Sequence, residues 1–417
     1  MLKQFTREEK SWIFYDWANS AQSAIVAAII LPIFFKTMAR GSGVSDVDST
    51  VYWGYATSLG TLICALLAPL LGTLGDMKGY RKRFFTFFLL VGVGGTALLA
   101  FTDSWKLLLV FYMLSTIGFN GSGVYYDAFL SDVTTPERMD KVSTYGYGLG
   151  YIGGSTIPLI AALALIQFGA PLGIPTQLAT QLSFLLTAVW WFVFSIPLLR
   201  NVRQKSGVAP EGSLFSQTVR TLGKTLRDIG HYKPILFFLI AYFFYIDGVG
   251  TIIHMATVFG DSCGLGSMDM MLVLLVVQIV AFPFAILYGV LASRFGARRM
   301  ILAGIATYLI VCLVGFNLNS LRDFLILAVL VGTAQGGIQA LSRSFYGKLL
   351  PEGHSSEFFG FFDIFGKFSA VVGPALFSFI AQATGIVNMG ILGVMGMFVI
   401  GGVIFWFLVP QDIQKVR

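Results

Sequence analysis

The chain has 417 residues, 56% of them hydrophobic and only 12% charged, whereas a soluble protein carries about a quarter charged residues. That composition excludes an ordinary soluble enzyme: apolar runs of about 18 to 25 residues, broken by short polar segments, point to membrane-spanning helices. The net charge of +7 reads as membrane topology rather than nucleic-acid binding, because Lys and Arg collect on one side of the predicted spans.

Only helices and closed barrels satisfy backbone polar groups in lipid. The runs are continuously apolar rather than alternating, so helices are predicted. Twelve candidate spans fall at about 11–36, 51–75, 83–101, 106–131, 143–168, 180–199, 233–258, 270–293, 299–317, 322–347, 356–381 and 386–409. The first contains "FYDWANSAQSAIVAAIILPIFF", in which Asp16, Asn19, Ser20 and Ser23 fall at i, i+3, i+4 and i+7, one stripe of a helix. Its length, its carboxylate and the missing small-residue cleavage pattern argue against a cleaved signal peptide. With the N terminus inside, only Lys36, Arg40, Lys106 and Arg322 of the 28 basic residues fall in outer breaks, and Lys367 falls within a span. Both termini are therefore expected in the cytoplasm. The short loops suit a bacterial inner membrane.

Span 2 ends in "GTLGDMKGYRKR", residues 72–83. Gly72 lets the span approach a neighbour closely. A carboxylate at Asp76 can accept from the exposed amides opening another helix, such as span 11. Gly79 belongs to the turn, and Arg81, Lys82 and Arg83 anchor span 3. Span 4 carries Asn120 and, at its inner end, Tyr125, Tyr126 and Asp127. "GYGLGYIGG" in span 5 is read as a packing surface; no strand precedes its glycines, so it is no nucleotide site.

The longest polar break, 200–232, holds Phe215, Val219, Leu222, Leu226 and Ile229 at steps of four and three, with Ser213 as a candidate N-cap. It reads either as a helix on the inner membrane surface or as a solvated linker. It separates a six-span half at 1–199 from another at 233–417.

Charges inside spans are expensive and default to functional candidates. Asp247 in span 7 and Lys367 in span 11 sit near mid-membrane. They are expected to face a cavity and to pair directly or through a zwitterionic substrate; a permanent structural bridge is the alternative. Asp127, Arg343 and Asp363 lie at inner ends, where they either join an inner gate or snorkel to the interface. His254 titrates in the range useful for proton coupling, although a lone histidine is more often structural. Asn19, Asn120, Gln278 and Gln335 are uncharged candidates for substrate hydrogen bonds. Tyr15 and Tyr245 join Tyr125 and Tyr126 as candidate hydroxyl donors.

The halves echo each other. "GVLASRFGARR" (289–299) follows span 8 as the first motif follows span 2, and Gly150 and Pro158 recur as Gly366 and Pro374, all at an offset of about 216 residues. Such parallel repeats build one large transporter class. The first motif closely resembles the loop signature of the major facilitator superfamily, G-x-x-x-D-x-x-G-x-R-[KR], between spans 2 and 3. "YDWANSA", "YYDAFLSDVTTPE" and "QALSRSFYGKLLPE…EFFGFFDIFGKFSAVVGP" resemble its vacuole-effluxer branch, whose eukaryotic members are linked to amino-acid efflux after autophagy. The resemblance implies an all-α fold of twelve transmembrane helices in two pseudo-symmetric halves. It also implies a cytoplasmic latch at Asp76, Gly79 and Arg81. Ser293 replaces the aspartate in the second copy. Span 4 lacks the arginine-centred motif of proton-driven drug exporters, and span 5 keeps only part of the antiporter glycine-proline motif (Gly150, Gly154, Pro158), which counts against drug/proton antiport.

The resulting expectation is a secondary transporter that moves a small polar solute, an amino acid being the leading class, by alternating access. Asp16, Asn19, Asn120, Asp247, Gln278, Gln335 and Lys367 would form the substrate or ion site. Gly72, Asp76, Gly79, Arg81, Asp127, Arg343 and Asp363 would form the cytoplasmic gate. H+ coupling would run through Asp16, Asp127, Asp247 or His254. The alternatives are a lipid or amphiphile translocator and a non-transporting receptor. An enzyme is not expected: no Walker motif, H-E-x-x-H or nucleophile elbow is present, and the histidines are scattered at 231, 254 and 354. Cys64, Cys263 and Cys312 offer neither a disulfide framework nor zinc spacing. No cofactor or metal is predicted, and the expected partners are a small solute, H+ and membrane lipids around a monomer.

Overall fold

The structure is a computed structural model that describes residues 2–209, 218, 220, 223, 232–262, 267–316 and 320–410. Apart from residues 218, 220 and 223, the predicted amphipathic helix at 213–229 lies outside the described residues, as does Cys263. Twelve long helices follow in chain order: α1 Arg7–Gly41, α2 Asp46–Asp76, α3 Arg81–Leu98, α4 Trp105–Ala128, α5 Pro136–Phe168 and α6 Thr176–Asn201, then α7 Lys233–Ser262, α8 Ser267–Phe295, α9 Ala297–Gly315, α10 Leu321–Leu349, α11 Ser355–Thr384 and α12 Gly390–Leu408. The fold is all-α, two six-helix halves of a membrane bundle.

The helix boundaries follow local chemistry. Thr6 starts α1: its hydroxyl accepts from Glu9 N while the Glu9 carboxylate accepts from Thr6 N, a reciprocal capping box. Glu9 is itself held by Arg138 at 2.7 Å and Thr134 at 2.7 Å, which ties α1 to the start of α5. Gly79, with φ +86°, makes the α2–α3 turn in a backbone region closed to most side chains. Within α1 and α5 the helix widens to π-type turns at Gln22–Ile29 and Gly150–Thr156. Such turns frequently mark functional positions, and these two lie against each other.

Buried apolar side chains gather in one cluster drawn, apart from Ala128, from α7–α12 and the chain beside them, and in two clusters drawn from the first half. Each half thus builds its own core. The halves meet where α2 packs on α11 and where α5 packs on α8 and α10. The α2–α11 contact is close because Gly72 has no side chain: a Cβ there would fall 2.3 Å from Ser356 O. The end of the bundle that carries the N terminus is called the base below.

Candidate transport site

Between the halves lies a cavity of 1680 Å³. Its walls at the end away from the base include Met38, Gly41, Phe168 and Thr176. Gly41, Phe168 and Thr176 are exposed, so the cavity opens there. Its floor is Arg343 of α10. The four polar positions of the α1 stripe, Asp16, Asn19, Ser20 and Ser23, all line it. So do Asn120, Tyr126 and Asp127 of α4, Tyr147 and Tyr151 of α5, Gln278 of α8, Gln335 and Arg343 of α10, and Asp363 of α11. The cluster of polar groups in an apolar helix is thereby explained: one stripe meets the cavity while the other faces meet protein and lipid.

Arg343 is the centre of the floor. Its side chain is 4% exposed. Nη2 donates to Asp16 Oδ2 at 3.0 Å, and Nη1 donates to Asp127 Oδ1 at 3.2 Å. Nε donates to Ser143 Oγ at 3.0 Å, and Nη2 also reaches the Ser143 carbonyl at 3.2 Å. The guanidinium lies over the rings of Tyr147 at 4.4 Å, Trp12 at 4.6 Å and Tyr126 at 5.4 Å. Arginine suits this place: its planar fork serves several acceptors at once, and its faces stack on aromatics. A residue of the second half is thus held by α1, α4 and α5 of the first.

Below the floor the base is closed by further bonds between the halves. Ser143 donates to Ala340 O at 2.7 Å, Ser344 donates to Asp140 at 2.7 Å, and Lys348 pairs with Asp140 at 2.5 Å. Deeper still, Asp76 accepts from Ser356 N and Glu357 N, each at 2.7 Å. These amides open α11, where a helix presents unsatisfied donors and partial positive charge. Arg81 pairs with Asp76 at 2.7 Å, ion-pairs with Asp132, and donates through Nε to Ser356 Oγ at 2.7 Å. The other Asp132 oxygen accepts from Lys205 N at 2.9 Å, so the chain leaving α6 is fastened beneath the cluster. In the second copy of the loop motif Ser293 is exposed and donates to Val290 O of its own helix.

The sequence-predicted residues therefore separate. Asp16, Asn19, Asn120, Asp127, Gln278, Gln335, Arg343 and Asp363 share the cavity, and Gly72, Asp76, Gly79 and Arg81 share the base. Asp247 does not line the cavity: it is fully buried, packed against Gly373 of α11, with Thr251 as its side-chain partner at 3.5 Å. The side chains of His254 and Lys367 lie outside the described residues, and the pairing of Lys367 with Asp247 with them. Tyr15, Tyr125 and Tyr245 are core residues, bonded to Ser122, Leu71 O and Ser342. Trp12, Ser143 and Tyr147 were not singled out in the sequence. Trp12 lies one turn before Asp16, whereas Ser143 and Tyr147 lie on the next long helix after Asp127, and none of the three stands out among so many aromatic and small residues.

A family model described as vacuole effluxer Atg22 like matches residues 44–136 and 131–415. The relative described as an uncharacterized MFS-type transporter YxiO, from Bacillus subtilis (strain 168), is 49% identical over 416 residues, 99% of this chain and 97% of the relative. Autophagy-related protein 22-1 of Emericella nidulans is 29% identical over 290 residues, 62% of this chain and 48% of the relative. Among solved structures, the human organic anion transporter MFSD10 superposes with a TM-score of 0.75 over 96% of this chain and 99% of its own at 13% identity. The MFS transporter FucP in the outward conformation gives 0.72 over 97% and 98%, also at 13% identity. At such identities the likeness concerns the fold alone.

Proposed function

We propose that this chain, which belongs to the Atg22-like vacuole-effluxer family of major facilitator transporters, carries a small polar solute of the amino-acid class by alternating access, coupled to H+. The observation that carries the reading is the floor of the cavity. Asp16 and Asp127 on the first half share one guanidinium on the second, in reach of whatever occupies the cavity. A solute ammonium competes with Arg343 for those carboxylates, and a solute carboxylate competes with them for Arg343. Either competition weakens the bonds that hold the halves together, which is how binding energy at a central site shifts the balance between two states. A proton on Asp127, whose side chain is 24% exposed, has the same effect by removing one of the two charges that hold Arg343. Gln278, Gln335, Asn19 and Asn120 supply uncharged hydrogen-bonding groups around the solute. The base is taken as the cytoplasmic side, from the distribution of Lys and Arg.

The test is flux of radiolabelled amino acids in proteoliposomes, with and without an imposed pH gradient. Uptake or efflux that follows the gradient, and collapses when a protonophore is added, is the expected result. Flux indifferent to the gradient removes the H+ coupling. Absence of flux for every amino acid, with flux of another solute class, removes the substrate assignment.

A further inference from the structure

The latch at the base holds more buried negative charge than its helix caps require. Asp76 and Asp132 are each 3% exposed and Glu357 is fully buried, while Arg81 is the buried guanidinium among them. Nearby ammonium groups are engaged elsewhere: Lys205 Nζ with Glu8, Lys82 Nζ with the Val202 carbonyl. The amides opening α11 add about half a positive charge, so among the described residues, with His354 neutral, three carboxylates face roughly one and a half positive charges; a proton on His354, 3.3 Å from Glu357, is the competing way to balance them. Isolated buried carboxylates are strongly disfavoured unless something neutralises them. Glu357 marks where the imbalance falls. Its Oε2 lies 3.3 Å from His354 Nδ1, and its Oε1 has no hydrogen-bond partner among the described residues. Tyr346, in the same region of the core, donates its hydroxyl to the Phe358 carbonyl.

One ligand atom from each of Asp76, His354 and Glu357 lies within 4.8 Å of the other two. Three atoms at that separation can draw in around a single ion, because first-row metal bonds to imidazole nitrogen and carboxylate oxygen are about 2.0–2.2 Å long. One imidazole with two carboxylates is a donor set for divalent first-row transition ions, whereas magnesium favours oxygen ligands and retained water.

We propose that Asp76, His354 and Glu357 form a binding site for a divalent first-row transition-metal ion, which clamps the base shut. Asp76 belongs to the end of α2, whereas His354 and Glu357 belong to the start of α11. An ion shared by them joins the two halves and favours the arrangement in which the base is closed. The site lies below the floor of the cavity, so it is distinct from the solute site, and the proposal does not rest on which solute the chain carries. The sequence gives no hint of it, because Asp76 and His354 are far apart in the chain and three scattered histidines show no ligand spacing.

The experiment measures retention of Zn2+ and Mn2+ by the full-length protein after equilibrium dialysis, with Mg2+ as the comparison, together with the melting temperature in each ion and in chelator. One Zn2+ or Mn2+ per chain is expected, with a higher melting temperature that chelator reverses. His354→Gln and Glu357→Gln should each weaken retention roughly tenfold or more, since even outer-shell changes at metal sites weaken binding by about 10–100-fold. His354 is partly exposed and Glu357→Gln keeps the shape, so both variants should fold, and their metal-free melting curves check this. Stoichiometric binding unaffected by either substitution overturns the proposal, as does absence of retained ion. A melting temperature that responds to pH but not to metal also overturns it, and assigns neutralisation of the cluster to a proton instead.

Discussion

Arg343 holds three helices of the opposite half through one side chain, and its chemistry sets what substitutions there do. It is almost fully buried, with Asp16 at 12% and Asp127 at 24% side-chain exposure. Removing one partner of a buried ion pair leaves an uncompensated charge and costs about 3–5 kcal/mol, although the intact pair adds less than that to stability. Arg343→Ala is therefore expected to lower the melting temperature markedly, and Arg343→Lys to lower it less, because lysine keeps the charge but not the fork or the stacking on Trp12 and Tyr147. Combining Arg343→Ala with Asp16→Ala should cost less than the two single losses together, since each single variant strands the other's charge. Thermal unfolding of the four proteins in one detergent checks this; strictly additive losses would mean that the two residues act independently. Of this cluster the sequence reveals the carboxylates, because Asp16 interrupts an apolar run. It does not reveal that Asp16 meets Arg343, which lies 327 positions further along. Nor can it separate Trp12 and Tyr147 from the other aromatics, which make up 15% of the chain.

At the scale of helices, the informative places are the ends. The α11 N terminus donates two amides to Asp76, and Gly72 one turn earlier in α2 lets the backbones meet. Asp76→Asn removes the charge that answers the helix end, a change of about 0.3–2 kcal/mol, and deprives Arg81 of one of its two carboxylates. Gly72→Val forces the two helices apart, because even the first carbon of the new side chain would overlap Ser356 O. Both variants are expected to loosen the base, Gly72→Val more than Asp76→Asn. Labelling of a cysteine placed at Ser355, buried in the present arrangement, measures this: faster modification than in the parent is expected, and an unchanged rate would show that neither contact keeps the base closed. The boundaries also show where hydrophobicity misleads. Span 5 reads as beginning near 143 because Glu137, Arg138, Asp140 and Lys141 precede it, yet α5 begins at Pro136. Asp140 meets Lys348 and Ser344 of α10 and Arg138 meets Glu9, while Glu137 is exposed, so these polar residues extend the helix beyond its apolar stretch. The π-type turns of α1 and α5 were not legible either, since nothing in "QSAIVAAI" or "GYIGGST" distinguishes a wide turn from an ordinary one.

For the whole molecule, the duplicated pattern and the loop motif made the fold readable, and the substitution of Ser293 for aspartate already indicated an unequal pair of loops. What the sequence could not give is the arrangement of the halves: a cavity open at one end, with the other closed by three successive layers at Arg343, at Asp140 with Lys348, and at Asp76 with α11. Each layer joins the first half to the second, so on the transport reading all of them must part before the cavity can open at the base. The middle layer offers the cleanest intervention, because Asp140 and Lys348 lie below the cavity and touch none of the solute candidates. Cysteines at these two positions, bridged by a short bifunctional thiol reagent, should abolish flux in proteoliposomes while leaving solute binding from the open end intact. Reversal with a cleavable reagent should restore flux, and the unbridged double variant should transport. Flux that persists after complete bridging, verified by mass spectrometry, would show that the halves need not separate at the base, and the alternating-access reading of this molecule would fail.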